Sequence, residues 1–330
     1  MKLQTKAFVN LVRMRHLMGE RFVCAAWQLL DWRSMPEEEL FERLQKMGIE
    51  LTREAFLQAM EKVDSPEDLA LGLCETIDEE KHEAVYLCFF ELWRKLSEKQ
   101  TPSIFGDEVD YRMFLYDTEA MKNDELVQTI LFSLEELLQG NVDAGMAPKK
   151  AFLAFQQYCA HDLESFIYEY IYEQIESGNL IYASDLIDDF YAYMAYPLWF
   201  DFLLAYLYLF SDVESSNEII KFIVKDLLSH PDFDLQMEVL KFMSHGGDSH
   251  LFLKLLKATL PMLEKEGDFK DLLETTAEYF RRLDKIESEQ EILKLLLSRS
   301  DVNSDFAIDA QDLGLLAFSQ YLISTGSKSI

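Results

Sequence analysis

The sequence predicts an all-α protein: antiparallel helical hairpins stacked as an irregular α-solenoid, or as two packed helical bundles. Three observations lead there. Helix start and stop signals recur from one end of the 330 residues to the other, glycine (12) and proline (7) are too few for the many tight turns of a β-sandwich or barrel, and no run of β-branched residues alternates with polar ones. With apolar side chains at 49% and aromatics at 13%, the chain has ample surface to bury against chain entropy, and its length exceeds what one hydrophobic core serves.

The first twenty residues place Leu3, Ala7, Leu11, Met14 and Met18 at helical spacing, with Lys2, Lys6, Arg13 and Arg15 among them. Charges interrupt the stretch throughout, so it lacks the apolar run of a secretory signal, and the first helix of a cytoplasmic protein is the expectation. An amphipathic helix lying on a membrane surface is the rival reading. In Ser34-Met35-Pro36-Glu37, Ser34 is expected to cap a helix over about 35–47 with Glu37 reaching back, and Gly48 to stop it. Thr52 then caps a helix whose face carries Ala55, Phe56, Ala59 and Met60, and Ser65-Pro66-Glu67-Asp68 starts another. From Glu79 to Ser97 the stripe Ala84, Leu87, Cys88, Leu92 and Leu96 makes a long amphipathic helix, broken at Thr101-Pro102-Ser103. Residues 1–105 therefore read as an N-terminal helical unit and 106–330 as a helical-hairpin array. Further stops are expected at Gly140, around Pro148, at Gly178, near Pro197, at Ser211, at Pro231, at Gly246-Gly247 and at Gly267.

The centre of that array, about 151–218, has a composition of its own. It contains twelve acidic residues, ten of the fifteen tyrosines and no lysine or arginine, which gives an acidic, aromatic character to any surface it exposes. Within it, Leu198 to Phe210 is apolar nearly all round, which predicts a fully buried central helix covered by its neighbours. Pro197, Asp201 and the lack of flanking bases disfavour a membrane span. We expect Glu169, Glu173, Asp185, Asp188, Asp189, Tyr172 and Tyr182 to form a partner-binding face for a protein or basic peptide, because charge steers the encounter and tyrosine gives contact area at low entropic cost. An ordinary solvated face is the alternative.

Gly178-Asn179-Leu180-Ile181-Tyr182-Ala183 and Gly267-Asp268-Phe269-Lys270-Asp271-Leu272 each set a glycine five positions before a residue that packs in a second helix. In this they resemble the turn of tetratricopeptide repeats, and the array as a whole is similar to α-solenoids of the tetratricopeptide and HEAT type. The second turn has Leu where the pattern has Ala, the Trp, Leu-Gly and Tyr positions before the first are absent, and the spacing of the two turns is not a multiple of the repeat of about 34 residues. The resemblance therefore implies an architecture and the partner binding that goes with it, not a regular tandem array.

The formal charge of -29 repels phosphate backbones, so nucleic acid is excluded as a partner. Cys24, Cys74, Cys88 and Cys159 are widely spaced and read as reduced, mostly buried thiols. Phosphate-binding loops, His-Glu-x-x-His and Gly-x-Ser-x-Gly are absent. Ser244-His245-Gly246-Gly247-Asp248-Ser249-His250 gathers potential ligands but also reads as a helix stop followed by a cap. One Glu-x-x-His, Glu79 to His82, falls short of the two that a di-metal bundle needs. No catalytic residue, metal ligand or cofactor is assigned. The expected function is a non-catalytic protein-protein interaction scaffold or chaperone-like adaptor. An all-α metal-dependent enzyme and a membrane-associated effector are the alternatives.

Overall fold

A computed structural model describes residues 5–73, 79–118, 124–309 and 311–326. Among them the chain is all-α, with seventeen α-helices, short 3-10 turns and no strand; Lys265 and Ala307 form one isolated β-bridge. No helix of the described residues is long and apolar enough to cross a membrane. The helices fall into two compact units, residues 1–169 with 192–195, and 170–191 with 196–330.

The first unit contains α1 (Thr5–Leu17), α2 (Glu37–Lys46), α3 (Arg53–Met60), α4 (Pro66–Leu73), α5 (Glu79–Leu96), α6 (Pro102–Asp117), α7 (Glu125–Asp143), α8 (Pro148–Gln156) and the start of α9 (Leu163–Glu176). Gly48, at φ +96°, stops the chain just after α2, and the Thr52 hydroxyl accepts from the Ala55 amide to start α3. Ser65 accepts from the Asp68 amide, and Thr101 accepts from the Ile104 amide to open α6. The residue-105 boundary expected from sequence falls inside α6.

Helix α5 is the centre of this unit. Its residues 85–93 are buried without interruption, packed against α2, α4 and the 3-10 turn Trp32–Ser34. A single amphipathic stripe is expected there; instead residues 85–93 are covered all round, and Glu91 lies fully inside. Its charge is matched by Lys6 Nζ at 2.7 Å and Arg94 Nε at 2.8 Å. Lys6 also lies 3.3 Å from Asp107, which Arg33 meets at 2.7 Å. Burial acts to lower the Lys6 pKa, but Asp107 and Glu91 outweigh it and hold the ammonium charged.

Two expected signals of the first unit are used differently. Ser34 caps nothing: its hydroxyl donates to the Asp31 carbonyl within the 3-10 turn, and Pro36 occupies the N-cap of α2. Gly140 lies inside α7, where a glycine is tolerated, and the stop falls at Gly145 with φ +98°.

The second unit holds the remainder of α9, α10 (Leu180–Tyr191), α11 (Pro197–Tyr208), α12 (Val213–Leu227), α13 (Phe233–His245), α14 (Ser249–Thr259), α15 (Glu266–Arg282), α16 (Ile286–Leu297) and α17 (Leu313–Gly326). Helices α10 to α14 each pack on the next, as do α15 and α16, and alternate helices also touch: α12 meets α14 and α13 meets α15. Ring contacts join α9 to α11 and α11 to α13, so α9, α11, α13 and α15 form one row, while α12 and α14 pair outside it and α14 also meets α17. Gly178, at φ +80°, makes the α9–α10 turn as expected. Gly267 makes no turn. It sits in the first turn of α15, its amide donating to the Ser304 carbonyl at 2.9 Å, and a Cβ there would come within 3.3 Å of Ser304. The second tetratricopeptide-like turn is thus the start of a helix against which residues 303–307 are laid. At the far end Arg299 binds Glu266, which is 2% exposed, and Asp312, whose carboxylate also accepts from the Leu315 amide in the first turn of α17.

Helix α11 corrects a further expectation. Phe200, Phe202, Leu203, Ala205 and Leu207 are buried, but Leu198, Trp199, Asp201, Leu204 and Tyr206 are half-exposed and Tyr208 is exposed. The helix is covered on one side only. Trp199 and Tyr206 carry polar tips that find partners at the surface, Trp199 donating to Asp232 at 3.3 Å and Tyr206 to Glu176.

Candidate functional site: an acidic aromatic row

The open side of α11 belongs to a continuous surface. Tyr172 of α9 stacks on Tyr206 of α11, ring centroids 5.2 Å apart and planes 16° from parallel. Tyr206 meets Phe210 edge-on at 6.0 Å and Phe242 of α13 at 5.8 Å, while Phe202, buried in α11, fixes Phe242 from beneath at 5.7 Å. Three alternate helices are thereby joined by one ladder of rings. Phe210 is 55% exposed and Tyr172, Tyr206 and Phe242 are half-exposed.

Carboxylates run alongside. The Tyr206 hydroxyl donates to Glu176 at the end of α9. Burial, then the Glu176 carboxylate and Tyr172, push the Tyr206 hydroxyl well up, so it remains a donor. On α13, Lys241 Nζ lies 2.9 Å from Glu238. Burial acts to lower the Lys241 pKa; Glu238, with Asp271 of α15 and Tyr172 of α9, more than offsets it. His245 at the end of α13 lies 4.0 Å from Glu278 of α15. The surface therefore extends from α9 to α15, with Glu176, Glu238, Asp271 and Glu278 along it.

The residues expected from sequence are divided by this geometry. Tyr172 is in the ladder, and Glu169 and Glu173 share the exposed stripe of α9 with Glu176. Asp185, Asp188 and Asp189 are exposed on α10, a helix through which the ladder does not pass. Burial first, then Asp185 and Asp188, raises the Asp189 pKa, a repulsion within one helix. Tyr182 packs edge-on against the buried Tyr170 at 6.3 Å. Sequence reasoning missed Tyr206, Phe210, Phe242, Glu238, Asp271 and Glu278. The signal in hand was the half-polar aromatic content of α11, which a wholly buried helix would not need.

The other chemical candidates resolve locally. Asp248 accepts from the His250 and Leu251 amides, capping α14, and His245 is exposed at the end of α13. His161 is committed to Asp110 at 3.1 Å, and the Glu79 side chain and Cys74 lie outside the described residues. Among the described residues no three His, Cys, Asp or Glu side chains come together as a metal site. Cys88 and Cys159 are free and buried, and burial pushes the Cys88 thiol up to about 12; Cys24 is free and half-exposed. Searches of protein-family models, of curated proteins and of solved structures find no match to this chain.

Proposed function

We propose that the chain is a non-catalytic interaction scaffold or chaperone-like adaptor that takes a basic peptide or helix on the acidic aromatic row. The observation that carries this reading is the contact series Tyr172–Tyr206–Phe242, which spreads open ring surface over three helices beside Glu176, Glu238 and Asp271. Such a surface suits arginine or lysine on an apolar helix, since ring faces attract cations and carboxylates steer them in. The reading includes a cytoplasmic setting, in keeping with the free thiols.

The test is calorimetric titration of a synthetic amphipathic helix rich in arginine into the intact chain and into a Glu176→Gln/Phe210→Ser variant. Both substitutions are at exposed positions, so the fold is retained. Binding that weakens at least tenfold in the variant and falls with salt supports the row. Equal binding to both forms, or binding to neither, rejects it.

A further inference from the structure

Helices α6, α7 and α8 pack on one another within the first unit and leave a cavity of about 410 Å³ between them. Phe105 of α6 and Phe155 of α8, both buried, line it with ring centroids 5.4 Å apart, and Tyr158, in the loop after α8, continues the rings at 6.4 Å from Phe155. Leu137 of α7 and Met146, in the turn that follows it, add apolar wall. A volume of this order with a mainly apolar, aromatic lining is what a small-molecule site provides.

The walls are fixed before anything enters. With no side chain at Gly106, the Tyr158 backbone lies directly on α6, and Asp110 holds the loop beyond it by accepting from the Ala160 amide at 2.8 Å and the His161 amide at 3.1 Å. On the α7 side, Gly145 at φ +98° ends the helix, and the Met146 amide donates back to the Asn141 carbonyl at 3.0 Å. A site held in shape by the fold lowers the entropic cost of binding.

Two features select the occupant. No lysine, arginine, histidine, aspartate or glutamate lines the cavity, in a chain where 28% of residues are charged. An anion would enter against the field of a molecule of charge -29 with no cation to receive it, and an amine would give up water with no carboxylate on the wall to replace it. The second feature is Asn141, whose half-buried side chain lines the cavity and has no hydrogen-bond partner among the described residues. A primary amide presents an acceptor and a donor side by side, and another amide edge matches both. We propose that this cavity binds an uncharged aromatic carboxamide or lactam, its ring against Phe105, Phe155 and Tyr158 and its amide edge paired with Asn141. None of these residues belongs to the acidic aromatic row, so failure of the row as a binding surface leaves this assignment standing.

Benzamide is the simplest probe of this class, and ligand-observed NMR titration on the full chain compares it with benzoate and benzylamine, which keep the ring and carry a charge. Two variants accompany the intact chain. Ala154→Trp, at an exposed position on the cavity wall, fills the space, and Asn141→Leu removes the amide at similar volume; circular dichroism checks helicity in each. The intact chain is expected to bind benzamide about tenfold or more tighter than either charged analogue. Each variant is expected to lose about tenfold or more of that affinity, the first by occupying the cavity and the second by leaving the ligand amide unpaired. Absence of benzamide binding to the intact chain, a charged analogue that binds as tightly, or a helical variant that keeps the affinity of the intact chain overturns the proposal.

Discussion

His161 and Asp110 hold each other twice: the His161 amide donates to Asp110 Oδ1 at 3.1 Å, and the imidazole Nδ1 lies 3.1 Å from the same oxygen. Asp110 also accepts from the Ala160 amide at 2.8 Å and from Asn10 of α1 at 3.2 Å, so one buried carboxylate ties α1 and α6 to the loop before α9. Replacing it strands several buried donors at once. We expect Asp110→Ala to cost about 3–5 kcal/mol, read from denaturant midpoints, with Asp110→Asn intermediate.

The same pair sets a pH dependence. Burial acts to lower the His161 pKa, but Asp110, and Asp117 at 3.4 Å off hydrogen-bond angle, raise it to about 9. A folded pKa above the unfolded value of 6.5 means the stabilisation is complete below pH 6.5 and is lost as pH rises through about 9. Its size is of order 3 kcal/mol. Denaturation at intervals between those limits should show a decline that His161→Gln flattens; an unchanged slope in that variant contradicts the assignment.

Lys6 tests the buried network around α5. Lys6→Ala leaves Glu91 and Asp107 short of a cation and is expected to destabilise by about 3–5 kcal/mol. The double variant Lys6→Met/Glu91→Leu removes the charge with its partner and should regain much of that loss, since apolar groups of similar volume replace a buried ion pair at little cost. A double variant as unstable as the sum of its parts would count against this.

Two glycines inside helices give opposite outcomes. A Cβ on Gly106 would lie 2.5 Å from the Tyr158 carbonyl oxygen and 2.7 Å from its Cβ, so Gly106→Ala forces α6 away from the loop after α8 and should destabilise by about 1–3 kcal/mol. A Cβ on Gly140 of α7 would meet no other part of the fold within 4 Å, and Gly140→Ala should stabilise by about 0.5–1 kcal/mol through helix propensity alone. Thermal melts of the two variants should move in opposite directions.

Signals that act within a few residues were readable in advance. Gly48, Thr52, Ser65 and Gly178 perform the expected stops and caps because each depends only on its own turn of backbone. Gly267 is used differently because a distant segment decides it, its amide donating to the Ser304 carbonyl; at Ser34 the competing partner is the Asp31 carbonyl, and at Gly140 the helix runs on to the stop at Gly145. The choice of central helix was also inverted. Helix α11 has the more apolar sequence but keeps Tyr206 and Trp199 at an edge, while α5 contains Glu91, whose match in Lys6 is 85 residues away. Of the candidate site, Tyr172 and Glu173 were legible from composition. Tyr206, Phe242, Glu238 and Asp271 come together only when alternate helices align in a row, a relation no short window contains. Asp185, Asp188 and Asp189 are equally acidic but stand on α10, outside the ladder.

The enclosure of α5 determines how the first unit opens. Residues 85–93 have no face toward water, so their amide hydrogens can exchange with solvent only when α1, α2, α4 and their connecting turns come away together. This stretch is a built-in reporter of complete unfolding of the unit.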